Sequence, residues 1–227
     1  DNSNGGSPTR GGRYSDAYVM SVWGGKTVVA ADEGSYFNAH NATAGTGIAT
    51  ASAPTGDSDT AVFLVVVNPT ATERRVYLDY IALQATAAGT AGASLHFTHQ
   101  LDAINRYTSG GSTLTARNVN MDSAVASEAL VYIGAVTSPA ASGSVRKLGH
   151  YLIRNVIPVV GDTYVINFGG PSTPVGSLAV AGTAIANVVV NVHPVVIGAG
   201  DSWVLTLYLP SQSAASSYEI DMGWIER

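Results

Sequence analysis

The chain has 227 residues, long enough for one large β-domain or two small ones with a substantial core. Hydrophobic residues make up 46 % and charged residues only 12 %, about half the charged share of an ordinary soluble domain. A net charge of −5, a pI near 5.4 and the absence of cysteine argue against non-specific nucleic-acid binding and exclude disulfide staples, thiolate metal sites and cysteine catalysis.

The first segment, Asp1 to Ser15 (DNSNGGSPTRGGRYS), is too polar and glycine-rich to offset its ordering entropy and reads as a flexible N-terminal arm over 1–15. Residues 16–227 then read as a single β-sandwich domain. Ala17–Trp23 and Lys26–Ala31 read as two short strands around a Gly24-Gly25 turn. Asp32-Glu33-Gly34-Ser35 breaks that pattern, Tyr36–Asn38 is a short strand, and Asn41–Asp59 is a long loop. Its Gly-Asp-Ser-Asp run, with Asp57 and Asp59, resembles a fragment of a calcium loop without the distal bidentate acid.

Ala61–Val67 is a continuous apolar run suited to a strand buried on both faces, and Asn68-Pro69-Thr70 stops it. Arg74–Leu83 resumes as a strand. Strict alternation there puts Asp79 on the apolar face with Tyr77, Ile81 and Leu83, where Arg74, Arg75 or an arginine elsewhere would be its partner. In Ser94–Asp102, His99 falls with the apolar residues as a hydrogen-bonded core or interface ring, while His96 faces the other way, so the two cannot clamp a metal together.

Asn105–Thr113 is a loop centred on Gly110-Gly111, Glu128–Ala135 a strand and Val145–Ile157 a long strand ended by Pro158. Thr163–Phe168 alternates with Tyr164, Ile166 and Phe168 on one face, and Gly169–Gly176 is a loop. Val188–Ile197 is interrupted by Pro194. Two alternating runs close the sequence, Ser202–Leu209 and Tyr218–Trp224, with Trp203 and Trp224 on their core faces. Ser123–Ala129 is the sole, weak helix candidate. Many short strands between Gly- and Pro-rich turns make the fold class all-β, an antiparallel, jelly-roll-like sandwich.

Chemistry is sparse. No G-x-S-x-G elbow and no dinucleotide fingerprint occur. Glu219 and Asp221 form a same-face carboxylate pair whose spacing, about 7 Å between Cα atoms, suits a glycosidase. They lie opposite the apolar stripe, however, and read as solvated surface charges. Trp23, Trp203 and Trp224 are the aromatics that would stack on a sugar were they exposed. No catalytic, cofactor-binding or metal-ligating residue is assigned. No apolar run approaches the ~20 residues of a membrane helix.

Four stretches carry a resemblance: ADEGSYFNAHNATAGTGIA (Ala31–Ala49), FLVVVNPTATERRVYLDYIAL (Phe63–Leu83), the RYTSGG loop (Arg106–Gly111) and the terminal EIDMGWIER (Glu219–Arg227). Together they resemble the virion jelly-roll proteins of tailed bacteriophages. The resemblance implies a structural, non-enzymatic component of the particle: a capsid cement or decoration protein that binds and stabilises the shell. A tail or fibre part, or a host-surface carbohydrate-binding module, is the alternative. The implied partners are other copies of the chain, as a homotrimer, and the major capsid protein, with no nucleic acid, membrane or small-molecule substrate. The implied location is the virion, after assembly in the host bacterial cytoplasm.

Overall fold

The structure, a computed structural model, describes residues 26–50, 55–90, 92, 94–169 and 185–227. The arm expected over 1–15, the strand over Ala17–Trp23, the Gly24-Gly25 turn, Trp23 and most of the Gly169–Gly176 loop lie outside these residues. Within them the elements are α1 (Lys26–Asp32), β1 (Tyr36–His40), β2 (Ile48–Ala49), β3 (Ala61–Val67), β4 (Val76–Ala87), β5 (Leu95–Asp102), β6 (Ser109–Leu114) and β7 (Arg117–Asn118). They continue with β8 (Leu130–Thr137), β9 (Arg146–Arg154), β10 (Thr163–Phe168), β11 (Asn187–Val192), β12 (Val196–Ile197), β13 (Ser202–Tyr208) and β14 (Ser217–Glu226).

Two sheets pack face to face. The central part of sheet one runs β1-β14-β4-β10 and that of sheet two runs β3-β13-β5-β9. Counted along the chain, these strands stand in the order first-eighth-third-sixth against second-seventh-fourth-fifth. That interleaving is the double Greek key of a jelly roll, as the strand spacing predicts. The remaining strands widen this frame. β7 extends sheet one beyond β1 and β11 extends it beyond β10, while β8 and β6 extend sheet two beyond β3. Among the described strands every pairing is antiparallel except β10 with β11, which run parallel from Thr163↔Asn187 to Phe168↔Val192.

The alternating runs deliver their apolar faces inward. From β13 come Trp203, Leu205 and Leu207, and from β14 come Tyr218, Ile220, Met222 and Trp224. Phe37 stacks on Trp224 at 6.2 Å between centroids, and Phe168 meets Trp203 edge-on at 5.5 Å. Both described tryptophans are fully buried. A second, smaller cluster lies on the other side of sheet two, where Val62, Val65, Val67, Val136 and Val204 pack beneath Tyr107 and Tyr132, themselves stacked at 3.5 Å.

Several expectations are corrected. Lys26–Asp32 is a helix, not a strand. Its end is a Schellman motif, in which Ser35 N–H donates to Ala30 O (2.8 Å) and Gly34 N–H to Ala31 O (3.1 Å), with Gly34 at φ 70°. The glycine taken as a strand break is the helix terminator. Asp79 does not join the apolar face of β4, because Leu78 pairs with Trp224 and Tyr80 with Gly223. The extra residue is a β-bulge, which turns both Asp79 and Tyr80 outward and restores Ile81 and Leu83 to the core. Gly110 and Gly111 sit within β6 at φ 75° and 68°, where the register against β8 also shifts. A Cβ at Gly110 would stand 2.6 Å from Ala135 O, so only glycine fits. The candidate helix at Ser123–Ala129 is irregular, because Asn and Ser side chains bond its backbone: Asn118 Nδ2 donates to Val125 O (3.0 Å) and Val125 N–H to Ser123 Oγ (3.2 Å).

Candidate functional site

The acidic residues singled out by sequence are structural ties. Asp57 accepts from Thr98 Oγ1 (2.7 Å) and Lys147 Nζ (2.8 Å). Asp59 Oδ1 accepts from Gln100 Nε2 (3.4 Å). The Gly-Asp-Ser-Asp loop is thereby clasped across β5 and β9. Burial raises the pKa of Asp57, but Lys147 and Thr98 outweigh it and hold the carboxyl below its usual range. Asp79 accepts from Tyr36 Oη (2.8 Å), not from an arginine, and Asp221 accepts from Tyr80 Oη (2.9 Å). The two rings flank Gly223, where a Cβ would lie 2.3 Å from Tyr36 Oη. Glu219 Oε1 accepts from Gly45 N–H. Glu219 and Asp221 do share the outer face of sheet one, as their spacing predicts.

Three buried carboxylates escaped the sequence reading. Asp102 faces Arg106 Nη1 at 3.1 Å, both side chains fully buried, and also takes Ser142 N–H (2.9 Å). The rest of the Arg106 guanidinium reaches Ser138 Oγ and Pro139 O, each at 3.1 Å, and the carbonyl of Asp59. Asp162 pairs with Arg154 and accepts from Val159 N–H (2.7 Å), Ala186 N–H (2.7 Å) and Tyr164 Oη (2.8 Å). Glu226 takes Trp224 Nε1 (2.9 Å) and Glu128 N–H (2.9 Å), with Arg74 at 3.7 Å. Each carboxylate has its desolvation offset by several donors, and each fastens a loop to the sandwich. Arg74, expected beside Asp79, serves Glu226 instead.

Accessible polar chemistry gathers on the outer face of sheet two, beside a cleft of about 490 Å³ lined by Asp57, Thr98, Lys147, His150 and Tyr208 among others. At its rim, Ser94 Oγ lies 2.7 Å from His96 Nε2. His96 Nδ1 lies 3.1 Å from His150 Nε2, which in turn lies 2.8 Å from Tyr208 Oη. The Tyr208 ring stacks on His96 at 5.1 Å, with 8° between planes. Burial, and then the neighbouring His150, lower the pKa of His96. As the alternation predicts, His96 and His99 face opposite ways. His99 is 1 % exposed, and its Nδ1 accepts from Trp203 Nε1 (3.3 Å). Burial, then the His193 charge, push its pKa down to about 4.

The sequence does not signal His150. It meets His96 only because β5 and β9 are antiparallel with Thr98 opposite His150, which places the two imidazoles on one diagonal.

No family model, curated protein or solved structure matches this chain.

Proposed function

We propose that this chain is a structural, non-enzymatic component of a bacteriophage particle, a cement or decoration protein that binds the capsid shell and stabilises it. The observation that carries the reading is the jelly-roll strand order, joined to the four sequence stretches that resemble virion jelly-roll proteins. This is a warrant by likeness of fold and sequence, and it transfers no reactive residue. The character of the surface supports it. The strands β4, β10, β11 and β14 contain no Lys or Arg, so the broad outer face of sheet one carries only Asp79, Glu219 and Asp221 as charges on those strands. Among them stand Val165, Val189, Ala82 and the amide pair Asn167–Asn191 (3.4 Å). A wide face of small, mostly neutral groups suits a partner surface better than a small ligand. In this reading it docks on the shell, and copies of the chain assemble as a trimer about a symmetry axis of the virion.

The carbohydrate-binding alternative loses two of its three candidate platforms, because Trp203 and Trp224 are fully buried. The decisive experiment is density-gradient purification of intact particles, followed by mass spectrometry and a particle map. The chain is expected in the particle band, as density on the outer shell. A stable monomer absent from particles would overturn the reading.

A further inference from the structure

We infer that His96 and His150, with Tyr208 beside them, form a binding site for a divalent transition-metal ion of the zinc, nickel or copper class. The site would clamp β5 to the edge strand β9. A ring nitrogen offers one lone pair or one hydrogen, never both. His150 Nε2 has two close neighbours, His96 Nδ1 at 3.1 Å and Tyr208 Oη at 2.8 Å. Whichever tautomers are chosen, one of these contacts must share its hydrogen or its lone pair with the other. His150 Nε2 thus has two partners and a single hydrogen-bonding capacity.

A cation resolves that count, since both nitrogens then turn lone pairs to it and the Tyr208 hydroxyl is left free to bond water. The spacing fits. Two nitrogens held at about 2.0–2.1 Å from one ion, at an angle of roughly 95–110°, stand roughly 3.0–3.4 Å apart. Imidazole is a preferred ligand for zinc, nickel and copper, and water completes such a shell. Among the described residues no set of three or more His, Asp or Glu side chains is arranged to hold an ion, so the clamp is a bidentate imidazole pair completed by water, with the Tyr208 ring packed over His96. Access is open, for the His96–His150 contact is exposed at the rim of the cleft.

The charged neighbours of the pair neutralise one another. Facing the pair are Asp57 from the clasp loop, Lys147 from β9, Tyr208 from β13 and Ser94 ahead of β5. Lys147 is engaged by Asp57 at 2.8 Å, and the Asp57 charge also interacts with His150. Protons compete for the same nitrogens, so uptake weakens in acid.

The test is titration of the whole chain with zinc chloride, followed by calorimetry and by thermal unfolding. One ion per chain is expected, with a rise in Tm of roughly 5 °C at saturation and at least tenfold weaker uptake at pH 5.5 than at pH 7.5. His96→Gln and His150→Gln should each weaken uptake at least tenfold. Copper(II) spectra should show two nitrogen donors in the native chain and one in either variant. No uptake by the native chain, or unchanged affinity in His150→Gln, overturns the proposal; the latter would move the ion to another group such as His40 or His193. If a variant fails to fold, the copper spectrum of the native chain decides, and fewer than two nitrogens would overturn the site.

Discussion

The two outer faces of the sandwich are finished differently. On sheet two, the chain covers its own work. Val62, Val65, Val67 and Val204 face away from the main core yet are at most 3 % exposed, and Thr206 is tied to the clasp loop through the Ser58 carbonyl. Arg106 and Asp102 pin the neighbouring loops down. On sheet one, the outward positions of β10 and β11 stay accessible among the described residues, with Val189 54 % exposed. Sheet two is therefore packed on both faces around β3 and β13, whereas the outward positions of β10 and β11 bury little and are free to be selected for contact.

The sharpest way to break this contrast is Arg106→Ala, which strands Asp102 in the interior. It should cost about 3–5 kcal/mol in a urea titration, because an unpaired buried carboxylate is left behind. Acid should attack sheet two next. Burial, then the nearby His193, push the His99 pKa down to about 4 from the ordinary 6.5. Being depressed, its contribution is present above pH 6.5 and is lost as pH falls toward about 4, where the loss reaches roughly 3 kcal/mol. His99→Gln, which keeps an acceptor for Trp203, should flatten that slope in unfolding curves taken between those pH values. Val204→Ala should cost about 2 kcal/mol through lost burial and the cavity left behind. Val189→Ala should change stability by about 0.5 kcal/mol or less. A Val189→Lys, Asp221→Lys double variant should remain folded by circular dichroism and yet bind particles at least tenfold more weakly. Equal costs for Val204→Ala and Val189→Ala would erase the distinction between the faces.

Much of this was legible in the sequence, wherever one face of a strand is buried over a regular stretch. β10, β13 and β14 follow their period of two, and Trp203 and Trp224 lie where alternation puts them. Legibility fails at local irregularities. The bulge opposite Gly223 moves Asp79 from one face to the other, and a one-residue slip of this kind leaves no mark in a hydrophobicity pattern. The helix α1 buries only Ala30, so it has no apolar stripe to betray its period. Gly34 punctuates a strand and a helix equally well. The histidine cluster depends on pairing between residues 54 apart in sequence, and so does not show in any local window.

The placement of β13 and β14 bears on how the molecule is made. These two strands come last in the sandwich, yet each lies in the interior of its sheet, β13 between β3 and β5 and β14 between β4 and β1. A nascent chain that has emitted the first twelve strands therefore holds two sheets each split in two, four half-sheets with bare inner edges. Such a chain cannot acquire its native pairing piecemeal during translation, and its long-range closure is slow by nature. Until β14 is in place, those open edges are templates for pairing with other chains.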